Sequence, residues 1–334
     1  MEIFIFLLFS CLAGFIELGS LIFALQNSYT IYEVLLLALA FQVGYFFPNE
    51  IEISKKLLIP LTFLCLCLYL STIFVSNNYI ILLFATLLVS ICIQTVRGKQ
   101  KGNVSTALKR SSRILGFALS FMFTLPIVSI LCCIVLFFII ISNNNFITRI
   151  HFEKLKFHQL IMIAHQMHYF SYSYFILIIL MLLGGYQGIF ASCIFVLGWI
   201  PYTLIPIILR KNSYILYFIV GHVFLVLVLL IMSFTTNINL RIFLWIITGF
   251  GGGTVFCIEK ILKRYNDFNK AALTFSENIG HVLGIASGIG IYLIFKSTNI
   301  VIISASIFAA ITVVLMIIYL KSKGTLKIQE NDKS

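Results

Sequence analysis

The chain has 334 residues, of which 61% are hydrophobic and only 10% charged, with a formal net charge of +12 and a mean hydropathy of +1.08. Soluble globular domains carry about 25% charged residues, so this composition excludes one. The positive surplus is explained by loops facing anionic lipid, so the expected partner is a lipid bilayer and not nucleic acid.

The first apolar stretch, residues 3–25, is too long for the core of a secretion signal and lacks a basic leader. It is expected to be a retained membrane helix. Apolar segments of about 17 to 25 residues mark membrane helices. They follow at 31–48, 57–75, 79–95, 159–183, 188–208, 213–234, 240–258, 271–295 and 299–320. The stretch 114–142 exceeds one span and falls short of two. Loop charge decides its course, because Lys and Arg collect on the cytoplasmic side of short loops. A single crossing divides the 23 basic residues 13 against 10, whereas a double crossing divides them 21 against 2, with only Arg241 and Lys296 on the minor side.

The double crossing requires a fifth helix from near Ala107, with Lys109, Arg110 and Arg113 snorkelling at its cytoplasmic end, and a sixth opened by Pro126. The expected fold is therefore all-α and polytopic, with 12 transmembrane helices in two six-helix bundles and both termini cytoplasmic. The bundles span 1–145 and 159–321, joined by a cytoplasmic linker at 146–158 and followed by a cytoplasmic tail at 322–334. The expected location is the cytoplasmic (inner) membrane. The basic inner segments are 49–56, 96–113, 143–158, 209–212, 259–270 and the tail. The eight Cys residues all lie in apolar segments without zinc-finger or disulfide spacing, and no chemistry is assigned to them.

Some local motifs accompany this topology. Gly44, Pro48 and Asn49 lead to the basic pair Lys55–Lys56, and Arg210–Lys211 falls at the equivalent place in the second half. Gly280, Gly284 and Gly288 recur every four residues in the eleventh segment. Six helices, a basic linker and six more helices, with these motifs, resemble the major facilitator superfamily. The loop lacks that family's acidic–basic dipeptide, and its fifth-segment Gly-Pro motif is reduced to Gly116 and a distant Pro126. The resemblance implies two halves that rock about a central cavity near the bilayer midplane. It also implies that the glycine-rich run Gly249, Gly251, Gly252 and Gly253 acts as a gating hinge.

Ionisable groups inside a bilayer are costly and are functional candidates by default. Glu17 is the clearest, with no charged residue within fourteen positions on either side. It is expected to titrate a proton or bind a cation, the alternative being a neutral hydrogen-bonded carboxyl. Gln42 joins it as an embedded polar candidate. His165, His168, Tyr169 and Tyr172 share one helical face by their spacing, as a polar wall to a solute path or as a packing cluster. Two His without a carboxylate are incomplete for zinc, so no metal site is assigned. Glu277 and His281, four apart beside Asn278, can pair and would serve a substrate or an inner gate. Gln94, His222, Trp199 and Tyr202 are read as packing residues, and Glu33 as solvated.

With no nucleotide-binding loop and no cofactor motif, the expected function is secondary active transport of a small organic solute by alternating access. Coupling to a proton is expected, and export is favoured because carboxylates are few and aromatic candidates many. The solute would be a drug, a metabolite or a metal-chelating natural product. The alternatives are a polytopic transferase of cell-envelope polymers or a non-transporting partner subunit. An enzyme is disfavoured, because paired acid/base groups and large loops are missing. A monomer suffices for this reading.

Overall fold

The structure is a computed structural model and describes residues 2–50, 54–74, 78–99, 106–142, 155–208, 214–252 and 254–324. Among these residues every regular element is helical. The helices are α1 (Glu2–Gln26), α2 (Ile31–Glu50), α3 (Lys55–Phe74), α4 (Tyr79–Lys99), α5 (Thr106–Leu119), α6 (Leu125–Ser142), α7 (Phe157–Ile178), α8 (Gly188–Ile208), α9 (Tyr214–Phe234), α10 (Ile238–Gly252), α11 (Thr254–Arg264), α12 (Lys270–Phe295) and α13 (Thr298–Ser322). A π-helical turn, Ile179–Leu183, prolongs α7.

Among the described residues, eight spans are long and apolar enough to cross a membrane, taking Ile238–Arg264 as one. Ile31–Phe46, Leu125–Ile141 and Gly188–Tyr202 are shorter apolar helices, and α5 is a 14-residue helix with a basic first half. The chain is a multi-pass membrane protein. Large apolar side chains such as Phe74, Phe234 and Ile294 are exposed, as a lipid-facing surface requires.

The ambiguous stretch 114–142 is two helices, because α5 ends at Leu119 and α6 starts at Leu125 with Pro126 in its first turn. Proline is tolerated there because the missing N–H has no intrahelical partner. Several basic segments expected to be loops are helical instead. Arg97 and Lys99 lie in α4, while Lys260, Lys263 and Arg264 lie in α11. Lys and Arg are good helix formers, and the last-turn cations of α11 complement its dipole. Residues 146–154 of the expected linker, Arg210–Lys211, Gly253 and the tail from 325 lie outside the described residues.

The chain divides into two compact units, Met1–Phe152 with Leu177–Val196, and Glu153–Ile176 with Leu197–Ser334. In the first, α1 packs along α5, α2 along α4, and α3 along α6. The Ser112 hydroxyl bonds the Leu7 carbonyl, and a Cβ at Gly116 would collide with the Cys11 carbonyl, so α1 and α5 run parallel. Lys55 Nζ at the start of α3 donates to the Ile141 carbonyl at the end of α6 at 2.8 Å, so those two run antiparallel. It also satisfies an orphan helix-end carbonyl.

The second unit repeats these partnerships. Its first helix, α7, lies parallel to its fifth, α12, since Gly280 abuts Ile163 and Gln166, Gly284 abuts Met167 and Phe170, and Gly288 abuts Ser171. Its second, α8, meets the fourth, α10, where Gly198 touches Trp245 and Gly249 touches Pro201. Its third, α9, packs on its sixth, α13. Small residues allow such backbone approach where lipid supplies no hydrophobic drive between helices.

Helix starts are capped by short polar side chains. Asn78, Asn237, Asn269 and Ser297 accept from backbone N–H groups at the starts of α4, α10, α12 and α13. Glu33, expected to be solvated, is partly exposed and completes a capping box. Its Oε2 accepts from Thr30 N at 2.7 Å and Thr30 Oγ1 at 2.8 Å, and Thr30 Oγ1 accepts from Glu33 N at 3.4 Å.

Candidate functional site

In the first unit, the close approach of α1 and α5 brings Arg113 to Glu17. A Cβ at Gly14, one turn before Glu17, would collide with the Arg113 backbone carbonyl, so any larger residue there would push the guanidinium away. Arg113 Nε and Nη2 donate to Glu17 Oε2 at 3.0 and 2.5 Å, and Gln42 Nε2 on α2 donates to Oε1 at 2.8 Å. Both carboxylate oxygens are thus engaged, by side chains from two other helices. The Glu17 side chain is 3% exposed and that of Arg113 17%.

Arg113 does not snorkel at a helix end, contrary to expectation. It forms a partly buried ion pair with the buried Glu17 instead, because a lone charge in an apolar helix bundle costs more than a matched pair. Its guanidinium also lies 5.4 Å from the Tyr45 ring centroid and 5.9 Å from that of Phe117, and Arg97 lies 4.4 Å from the Tyr45 ring. Such cation–π contacts further reduce the cost of burying guanidinium. The structure therefore joins two of the candidates, Glu17 and Gln42, and adds Arg113. Nothing local in the sequence signals a pairing across 96 positions.

In the second unit the expected face of α7 divides between two neighbours. His165 and His168 turn toward α9, where His165 Nδ1 lies 3.1 Å from His222 Nε2. Tyr169 and Tyr172 join an aromatic group from α8 and α10. Tyr169 meets Trp199 edge-on at 5.5 Å, Tyr172 meets Trp245 at 6.0 Å, and Trp199 meets Tyr202 at 5.8 Å. Edge-to-face packing at these separations is favourable between aromatic quadrupoles. The four residues are one stripe along the helix but two chemical environments. His222 belongs with the two histidines, although its apolar neighbours in sequence carry no signal of the rings facing it.

On α12, His281 lies over Phe170 with ring centroids 4.0 Å apart, and Asn278 is buried one turn earlier. Glu277 is half-buried beside it. Among the hinge glycines, Gly249 touches α8, and Gly251 lies against Gly221 and Leu225 of α9. Both sites of contact demand a small residue. Gly252 ends α10, and Gly253 is outside the described residues.

No protein-family model and no curated protein sequence matches the chain. Solved structures do match its fold. The human organic anion transporter MFSD10 (TETRAN) is similar with a TM-score of 0.58 and 10% identity, over 94% of this chain and 98% of that one. A bacterial metal transporter is similar with a TM-score of 0.60 and 10% identity, over 95% of this chain and 97% of that one. Both neighbours are transporters rather than enzymes. At such identity the likeness concerns the fold alone, and it spans nearly the full length of all three chains: this protein shares the fold of these two transporters.

Proposed function

We propose that this protein is a proton-coupled secondary active transporter of a small organic solute, working by alternating access. In this reading twelve helices cross the cytoplasmic membrane as two six-helix bundles, 1–145 and 159–321. The linker at 146–158, the tail at 322–334 and both termini are cytoplasmic. The recurrence of first-to-fifth, second-to-fourth and third-to-sixth packing in both units supports two matched bundles. The glycine run from Gly249 to Gly253 is the proposed hinge, and Glu277 with His281 the proposed inner gate.

The observation that carries the reading is the pair of the buried Glu17 with the partly buried Arg113, steadied by Gln42. A proton delivered to Glu17 cancels the carboxylate and leaves the Arg113 guanidinium without its counter-charge. An anionic group on the solute then restores neutrality, so proton and solute load together. Removing one partner of a buried pair costs about 3–5 kcal/mol, enough to make the two binding events strongly interdependent. A small organic anion is accordingly the solute class that we propose.

Export requires instead that proton and solute exclude one another. That second reading is favoured by the Tyr169, Tyr172, Trp199 and Trp245 group, whose ring surfaces suit amphipathic compounds. The sign of flux separates the two. Proteoliposomes with an imposed pH gradient are screened with organic anions and with amphipathic cations. Anion accumulation on the side that protons enter is expected, and cation movement against the proton flow would favour export. Glu17→Gln should abolish gradient dependence in a folded, inserted protein. Undiminished gradient-driven flux in that variant would remove Glu17 from coupling.

A further inference from the structure

Three imidazoles meet inside the second unit. His165 and His168 stand one turn apart on α7, and His222 faces them from α9. They are 3%, 2% and 0% exposed. One ring nitrogen from each lies within 4.8 Å of the others. The ring centroids are 4.9, 5.2 and 5.5 Å apart, so the three side chains converge on a common point.

The tautomers can be assigned from hydrogen bonding. His222 Nδ1 lies 2.8 Å from the Phe218 carbonyl. A carbonyl only accepts, so Nδ1 carries the proton and Nε2 presents its lone pair to the cluster. A backbone carbonyl that orients the far nitrogen is the usual support for a metal-bound histidine. The pair His165 Nδ1 and His222 Nε2 is 3.1 Å apart. Two nitrogens on one tetrahedral zinc, each at about 2.0–2.1 Å, are separated by about 3.3 Å. This edge therefore already has ligand spacing.

Packing alone does not account for the third ring. The contact between His165 and His222 engages one nitrogen of each ring and the Phe218 carbonyl engages the other nitrogen of His222, while His168 Nδ1 is buried without a hydrogen bond. An unsatisfied buried nitrogen costs about 1–3 kcal/mol, and ligation is one way to recover it. We propose that His165, His168 and His222 form a binding site for a borderline divalent transition-metal cation such as Zn2+, Co2+ or Ni2+. Imidazole favours these ions over Mg2+ or Ca2+. Among the described residues no Cys or carboxylate completes the set. The fourth position falls to solvent or to an anionic group, and three neutral ligands leave the ion's charge for that group to balance. The site does not involve the Glu17–Arg113 pair and stands independently of proton coupling.

The test uses the purified full chain in detergent, titrated with Co2+ and Zn2+. Wild type should take up one Co2+ per chain with the visible absorption of a tetrahedral, nitrogen-rich site. Zn2+ should displace that absorption and raise the thermal midpoint, and a chelator should reverse both. His222→Ala and the gentler His168→Gln should each weaken Co2+ binding by about 100-fold or more, above the range for loss of a supporting residue. His158→Gln, a histidine outside the cluster, and Glu17→Gln should leave binding unchanged. Folded wild type without a stoichiometric Co2+ spectrum would overturn the proposal. So would undiminished affinity in both cluster variants, whereas variants that lose thermal stability with no metal signal in wild type would assign the cluster to packing.

Discussion

The two units use the same helix partnerships with different chemistry. In the first, α1 and α5 are held by backbone contact at Gly14 and Gly116 and by an ion pair, with Gln42 of α2 as a third partner. In the second, the corresponding helices α7 and α12 meet along Gly280, Gly284 and Gly288, and α7 carries histidine and tyrosine in place of a carboxylate. The first unit's interior holds the Glu17–Arg113 pair, whereas in the second three imidazoles and an aromatic group stand inside and the buried Arg241 lies near the start of α10. Small residues set how near the helices come, and the interior polar groups are then free to differ. A repeated scaffold can thus carry unlike interiors, an ion pair with an amide in one unit and imidazole and aromatic side chains in the other.

Breaking the ion pair should give the largest effect. Arg113→Ala leaves a buried carboxylate uncompensated and should destabilise by about 3–5 kcal/mol. The double variant Glu17→Gln, Arg113→Gln should recover much of that loss, since no unpaired charge remains. Thermal unfolding in detergent for the two singles and the double measures the coupling, and additive losses would refute a direct pair.

The glycine seam of the second unit should rank next. A Cβ at Gly280 would lie 2.5 Å from Gln166 Cβ and 2.8 Å from the Ile163 carbonyl oxygen. Gly280→Ala should therefore destabilise by about 1–3 kcal/mol through overpacking. At Gly290, on the same helix, an added methyl would meet no atom within 4 Å. Gly290→Ala should be neutral or stabilising by up to about 1 kcal/mol. Equal effects at the two positions would show that helix propensity, and not interhelical approach, governs α12.

The capping box of α2 sharpens the comparison at a unit's margin. Thr30→Ala removes the hydroxyl that donates to the Glu33 carboxylate and accepts from the Glu33 N–H, and should cost about 0.5–2 kcal/mol. Chemical denaturation compared with Thr30→Ser, which keeps the hydroxyl, isolates the cap from the lost methyl.

The smallest effect is expected at Asp267, between α11 and α12. Burial pushes its carboxyl up, but Lys323 Nζ at 2.6 Å and Tyr319 OH at 2.7 Å outweigh that and hold it below the ordinary carboxylate range. A depressed folded-state value stabilises above the unfolded pKa of about 3.9. The contribution is present at neutral pH and lost as pH falls through the folded value. Asp267→Asn should thus cost less than about 1 kcal/mol at pH 7, with the difference from wild type shrinking below about pH 4. A difference that persists undiminished in acid would assign the effect to packing.

Much of the fold is legible in the chain. The apolar runs, the basic clusters and Pro126 locate the helices and the break between α5 and α6, because chain length in lipid and hydrogen-bond closure leave few options. Glu17 stands out for the same reason, as a charge where charge is costly. The box formed by Thr30 and Glu33 is present as a local pattern but is not distinctive, since a short polar pair at a helix end looks the same when merely solvated.

What the sequence determined by itself is the solvent of each segment, through hydropathy, and the sites where that solvent is violated. Which violations meet was decided only by tertiary structure. Glu17 and Arg113 are 96 positions apart, and His165 and His222 are 57 apart. Their meeting depends on which helix faces adjoin, and that follows from three-dimensional packing of small residues whose spacing alone names no partner.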